Sequence, residues 1–196
     1  MSKFDIVEKK LYETGTLTSK QIVEMGISRV SITNWVKKGL LERVSRGVYI
    51  LPEDLIDTLF VMQSKCKRGI YSHETALMLH DLSDYTPSKN VMTVPIGYNV
   101  HRLKNESVEF HWIKDEVHEL GVMTIKSSHG NVIKVYDLER TICDIIKYRK
   151  KMDRAIVNSS LKEYINRSDA KRYKLTMYAK QLGISKIVSE VMEVLY

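Results

Sequence analysis

Two adjacent capped helices, an arginine-bearing ribbon directly after them, and a later switch from strand to helix chemistry predict an α+β fold. The N-terminal part is expected to be a winged helix-turn-helix. The C-terminal part is expected to hold a roughly four-stranded sheet and a helical layer. The expected boundaries are residues 1–52 for the first part, 53–68 for a connecting helix and 69–196 for the remainder.

The helix pair is written in its caps. Thr18 can accept the backbone N–H of Gln21 while Gln21 reaches back, a capping box, and Leu17 with Ile22 form a hydrophobic staple, so the first helix spans Thr18–Met25. The second, Ser28–Lys38, is capped by Ser28 and stapled by Ile27 and Ile32. Both stop at glycine, Gly26 and Gly39, and the apolar residues that follow, Ile27 and Leu40, can fold back onto Ile22 and Trp35. Two short strands, Leu41–Val44 and Val48–Leu51, then flank Ser45-Arg46-Gly47, with Val44, Val48 and Ile50 alternating toward the core.

The faces of the second helix point to DNA. Ile32, Trp35 and Val36 cluster as its buried stripe, which leaves Val30, Thr33, Asn34 and Lys37 outside, flanked by Arg29, Ser31 and Lys38. Asn can bond adenine bidentately, Lys can meet guanine or phosphate, and Val or Thr can touch a thymine methyl. No carboxylate interrupts this face, which matters beside a polyanion. Arg46 at the ribbon tip can enter a minor groove or bond phosphate, and Arg43 meets backbone. Thr18, Ser19 and Lys20 at the start of the first helix, and Ser45 beside the tip, complete the candidate DNA-binding set. A solvated helix face and a purely structural hairpin are the competing readings.

Composition agrees with this without deciding it. The chain has 196 residues, 43% of them hydrophobic, enough to fill two small cores. Its net charge of +7 is divided as +4 over residues 1–68, −3 over 69–131 and +6 over 132–196, so nucleic acid is expected at the ends rather than the middle. Cys66 and Cys143 have neither the spacing nor the density of a disulfide framework or zinc knuckle and read as buried thiols. The start lacks a signal-peptide apolar core and no apolar run reaches membrane-spanning length, so a cytoplasmic protein is expected.

Beyond the ribbon, Pro52 with Glu53 and Asp54 opens a helix to about Lys65, with Leu55, Leu59 and Met62 on one face. Ser72 caps a short helix containing Ala76, Leu77 and Leu79. Four β-rich runs follow: Val91–Val94, Val108–Trp112, Val122–Ile125 and Val132–Val135. From Asp137, an N-cap, the helical period returns with Leu138, Ile142, Ile145 and Ile146. Three more helical stripes close the chain: Ile156/Val157/Leu161/Tyr164, Leu175/Tyr178/Ala179/Leu182 and Val188/Val191/Met192/Leu195.

Catalysis is weakly supported. The pairs His73/His80 and His111/His118 lack a third ligand at convincing spacing, and no phosphate-loop or dinucleotide glycine pattern occurs, so neither metal nor cofactor is expected. A metal-dependent nuclease would have to use Asp137, Glu139 or Asp144, yet Asp137 reads as a cap and Glu139 can pair with Arg140 or a neighbour. The cluster Lys147-Tyr148-Arg149-Lys150-Lys151, with Arg154, Arg167, Lys171, Arg172 and Lys174, is either a solvated face or a surface for RNA, DNA or an acidic protein.

The motifs Val44-Ser-Arg-Gly-Val-Tyr49, Ser72-His-Glu-Thr-Ala-Leu-Met-Leu-His80, Thr93-Val-Pro-Ile-Gly97 and Asp137-Leu-Glu-Arg-Thr-Ile-Cys-Asp144 resemble the AbiEi antitoxins of type IV toxin–antitoxin, abortive-infection systems against phage. The resemblance runs from about Leu11 to the C-terminus. It implies a non-enzymatic protein whose winged helix represses its own operon at promoter inverted repeats, bound as a pair of otherwise monomeric chains. It also implies a C-terminal domain that counters an AbiEii-like nucleotidyltransferase toxin, without a stable complex. Arg140, Lys147, Arg149, Lys150 and Lys151 are the candidates for antitoxicity. A stand-alone transcriptional regulator and a nuclease remain the alternatives.

Overall fold

The computed structural model describes residues 2–103 and 106–195. It is a mixed α+β chain, and its contacts divide it into two compact units. The first comprises Met1–Lys67 together with Thr124–Ile133, and the second Arg68–Met123 with Lys134–Tyr196.

The first unit begins with a helix that the caps after residue 17 did not announce, α1 (Lys3–Thr14). Ser2 and Asp5 form its capping box and Gly15 ends it in the left-handed conformation. After β1 (Leu17–Thr18) come α2 (Ser19–Glu24), α3 (Arg29–Lys37), β2 (Glu42–Ser45) and β3 (Val48–Ile50), in a three-stranded sheet ordered β1-β3-β2. Val7 and Leu11 from α1 join Leu17, Ile22, Ile27, Ile32, Leu41 and Leu51 in one core, sealed by Phe4 set edge-on to Trp35 at 5.2 Å.

The helix expected from Pro52 starts later, as α4 (Thr58–Lys65). Asp57, not the Pro-Glu-Asp run, is its N-cap and accepts the Phe60 N–H; Leu55 stays outside the helix and is 80% exposed. Asp57 is buried and also receives the Ser127 hydroxyl and the Asn131 amide, which ties the segment around Ser127 and Asn131 into this unit.

A five-stranded sheet, one strand more than the four expected, has most of its residues in the second unit. The extra strand is β4 (Ile70–Tyr71), too short for alternation to mark. It is followed by α5 (His73–Leu79), β5 (Asn90–Pro95), β6 (Val108–Ile113), β7 (Val122–Lys126) and β8 (Val132–Tyr136), in the order β6-β5-β4-β8-β7. β5 and β6 run parallel in register from Asn90↔Val108 to Pro95↔Ile113, β4 pairs antiparallel with β5, and Tyr71 meets Val135 across a parallel contact. Ser72 does stand at the N-cap of α5, but its hydroxyl accepts from Thr93 instead of capping.

Four helices close the chain: α6 (Leu138–Tyr148), α7 (Arg154–Asn166), α8 (Arg172–Gln181) and α9 (Ser185–Leu195). α6 is central, since its residues Glu139 to Ile146 are all buried. Ile142, Ile145 and Ile146 pack with Val157, Leu161, Tyr164, Leu175, Tyr178, Ile184 and Val188, so the stripes read from periodicity do face inward. The side chain of Leu195, expected on the last of these stripes, lies outside the described residues. Cys66 and Cys143 are both buried thiols, and burial pushes the Cys143 thiol up to about 12. No helix among the described residues is long and apolar enough to cross a membrane.

Candidate nucleic-acid interface

The start of α2 is fixed by Thr18, whose hydroxyl accepts the Gln21 N–H at 3.3 Å while the Gln21 amide oxygen accepts the Thr18 N–H at 2.7 Å. Ser28 caps α3 by accepting the Ser31 N–H at 3.1 Å. Both helices end as the glycines require, with Ile27 N–H returning to the Ile22 carbonyl and Leu40 N–H to that of Trp35. These ends set the rotation of α3: Ile32 is buried and Trp35 and Val36 are half-buried, which turns Val30 (69% exposed), Thr33, Asn34 and Lys37 outward. Arg29 and Lys38 are exposed beside them, and Ser31 is half-buried with its hydroxyl 2.9 Å from that of Ser28. Thr33 donates its hydroxyl proton to the Arg29 carbonyl, so it meets a partner with its methyl and an acceptor oxygen.

The hairpin β2–β3 holds a register shift between Arg43 and Ser45, and Arg43 Nε bonds the Ser45 carbonyl at 3.3 Å. Arg43 therefore lies along its own strand, while Arg46 is exposed at the turn. Gly47 supplies the positive φ of +75° there. Val48 and Ile50 are buried as the alternation requires; Val44 is only half-buried. Thr18, Ser19, Lys20 and Arg46 share a cavity of about 510 Å³ with Gln63, Ser64 and Lys67 from α4 and its end. None of the residues around this cavity is a carboxylate, and an exposed pair of Lys20 with Glu24 at 3.7 Å is the acidic group nearest to it on α2. Lys67, Gln63 and Ser64 escaped sequence reasoning because α4 was read as a connector; the cationic run Lys65–Arg68 was the available signal.

The second set of candidates divides. Arg140 is wholly enclosed (0% exposed): its Nε lies 3.1 Å from Asp144 Oδ1, its guanidinium donates to the carbonyls of Val117 and Leu120 at 2.9 and 2.8 Å, and it sits 4.1 Å from the Tyr136 ring centroid. Contrary to its expected place among the antitoxicity residues, Arg140 is therefore on no surface a partner could touch; an Arg–Asp pair four apart inside an apolar stripe was the clue. Lys147, Lys150 and Lys151 are exposed and Arg149 is half-buried. Burial drives the Asp144 carboxyl above the ordinary carboxylate range, against the opposing charge of Arg140.

The carboxylates considered for nuclease chemistry are engaged elsewhere. Asp137 caps α6 and receives Lys174 and Tyr178, both at 3.0 Å, and Glu139 accepts the Lys171 N–H. Among the described residues, no group of three or more His, Cys, Asp or Glu is placed to hold a metal ion. The histidine contact that forms is His73 stacked on His111 at 3.9 Å, with Tyr148 edge-on to both.

The first unit thus has the make-up of a regulator's binding module: a capped helix pair in a tight turn, a small sheet, and cations without carboxylates on the exposed helix. Residues 13–52 match the family described as transcriptional regulator, AbiEi antitoxin. The match spans β1 through β3 and meets the resemblance read from the motifs. In fold the chain is also similar to the RV2827C protein from Mycobacterium tuberculosis, whose crystal structure it matches at 12% identity and a TM-score of 0.52. The match covers 84% of this chain and 66% of that one, and at such identity it speaks for the fold alone. No curated protein sequence matches the chain.

Proposed function

We propose that this protein is a winged helix-turn-helix autorepressor of its own promoter and the antitoxin of a type IV toxin–antitoxin pair. The observation that carries the first half is the exposed, carboxylate-free face of α3, Val30, Thr33, Asn34 and Lys37, in the same unit as the Arg46 turn. On a duplex, α3 enters the major groove, where Asn34 and Lys37 reach base edges and Val30 and Thr33 meet thymine methyls. Arg46 enters the neighbouring minor groove or bonds its backbone, Arg29, Lys38 and Arg43 meet phosphates, and Thr18, Ser19, Ser45 and Lys20 hold the strand at the start of α2. Lys67 joins them across the shared cavity. Inverted repeats are bound by two monomers, one per half-site.

Antitoxicity resides in the second unit and is directed at an AbiEii-like nucleotidyltransferase, with no stable complex between the two. Lys147, Arg149, Lys150 and Lys151 are the groups that support this role; no chemistry of the protein's own is required. The deciding experiment is footprinting of the promoter by the full chain across a salt series. Protection of paired half-sites, with binding falling steeply as salt rises, is the expected result. Unchanged promoter affinity in both Arg46→Ala and Lys37→Ala at physiological salt overturns the assignment.

A further inference from the structure

Where α6 gives way to α7, a cavity of about 520 Å³ opens between Arg149, Lys150, Met152, Arg154, Val157 and Asn158. Three of these residues are cations and none is an acid. Asp153, beside Arg154 in the chain, is committed to capping α7, accepting the N–H groups of Ala155 and Ile156. Arg149 is half-buried and donates to the Ile146 carbonyl at 2.9 Å, which fixes where its charge lies. Arg154 occupies the first position of α7, where the helix dipole disfavours a cation. Like charges gathered in one cavity repel, so the arrangement is relieved by an anion.

The remainder of the lining says which anion. Val157 is buried and Met152 packs against the same core, giving the cavity an apolar wall, and Asn158 brings an amide that can both donate and accept. A bare phosphate has use for neither. The volume falls within the roughly 300–1,000 Å³ of small-ligand sites. We propose that this cavity binds a nucleotide. Arg149, Lys150 and Arg154 hold the phosphate, the base lies against Met152 and Val157, and Asn158 bonds its polar edge. The nucleotide comes either free or as one unit of a single-stranded RNA. The site lies within the second unit and does not rest on the duplex reading.

Calorimetric titration of the full chain at physiological salt, with each nucleoside triphosphate, a short single-stranded RNA and inorganic pyrophosphate, tests the assignment. Saturable binding of a triphosphate or of the RNA is expected, and whichever binds identifies the source. Lys150→Gln with Arg154→Gln, both at exposed positions, weakens that binding at least tenfold. An equal charge loss at the exposed Lys180 and Lys186, each to Gln, leaves it within twofold. No saturable binding by any nucleotide or RNA overturns the proposal. Equal losses from the two double variants overturn it too, since they mark diffuse attraction, and so does pyrophosphate binding as tight as any nucleotide, which marks a plain anion site.

Discussion

Ser19 donates its backbone N–H to the Gly47 carbonyl at 2.8 Å, so the first residue of α2 and the hairpin turn are fastened to each other. A Cβ built on Gly47 would stand 3.0 Å from the Ser19 hydroxyl, on a backbone already at a φ of +75°. Gly47→Ala is therefore expected to lower stability by about 1–2 kcal/mol through the left-handed strain. The same change displaces Arg46, so thermal unfolding and promoter affinity should decline together.

Base and phosphate contacts separate in their salt behaviour. Asn34→Ala should cost about 1–3 kcal/mol of promoter binding and relax specificity at one base pair per half-site. Arg46→Ala should weaken binding across sequences and reduce the log–log salt slope by about 1. Competition binding at several salt concentrations measures both.

Asp57→Ala should be among the most damaging single changes in the first unit. It removes the cap of α4 and leaves Ser127 and Asn131, both buried, without their acceptor. A loss of at least about 3 kcal/mol is expected, about 1 for the cap and about 1 or more for each of the two orphaned groups. Denaturant titration provides the measurement.

Arg140→Leu should cost about 3–5 kcal/mol, because it strands a buried Asp144 carboxylate. Adding Asp144→Leu should recover much of that loss. A surface role for Arg140 would instead leave the unfolding midpoint of the single variant unmoved.

Acid should weaken the protein through its imidazoles. Burial holds His73 well below its ordinary value of 6.5, with His111, Arg140 and Lys147 pushing the same way. Burial lowers His111 as well, opposed by Glu109 and reinforced by Lys151. A depressed folded-state pKa contributes stability above the unfolded value and loses it as pH falls toward the folded value. Unfolding free energy should thus decline as pH drops below 6.5. His73 has a φ of +48°, which asparagine tolerates, so His73→Asn should shrink that decline in pH-dependent denaturation.

Local chemistry was the legible part. The caps at Thr18 and Ser28, the glycine stops and the inward stripes of α6 to α9 depend on residues within one or two turns, and the sequence displays all of them. α1 was equally local, with Ser2 and Asp5 as its box, but its mixed polar face gave no motif to attract notice. What eluded reading is long-range. Nothing near Asp57 announces Asn131, nothing near His73 announces His111, and the two residues of β4 are recognisable only once β5 and β8 lie on either side. Arg140 misled because a cation among cations looks solvated, although its partner stood one turn away.

The stretch Thr124–Ile133 gives the polypeptide an itinerary that departs from the first unit after Lys67 and comes home once more. Severing the chain at that departure would strip Asp57 of both its later partners and take Val132 out of the wall beside Lys67. Recombination between homologous genes faces the same obstacle. A crossover placed between the two halves trades away a piece of the module it seems to spare, so the two units are inherited together rather than shuffled as cassettes.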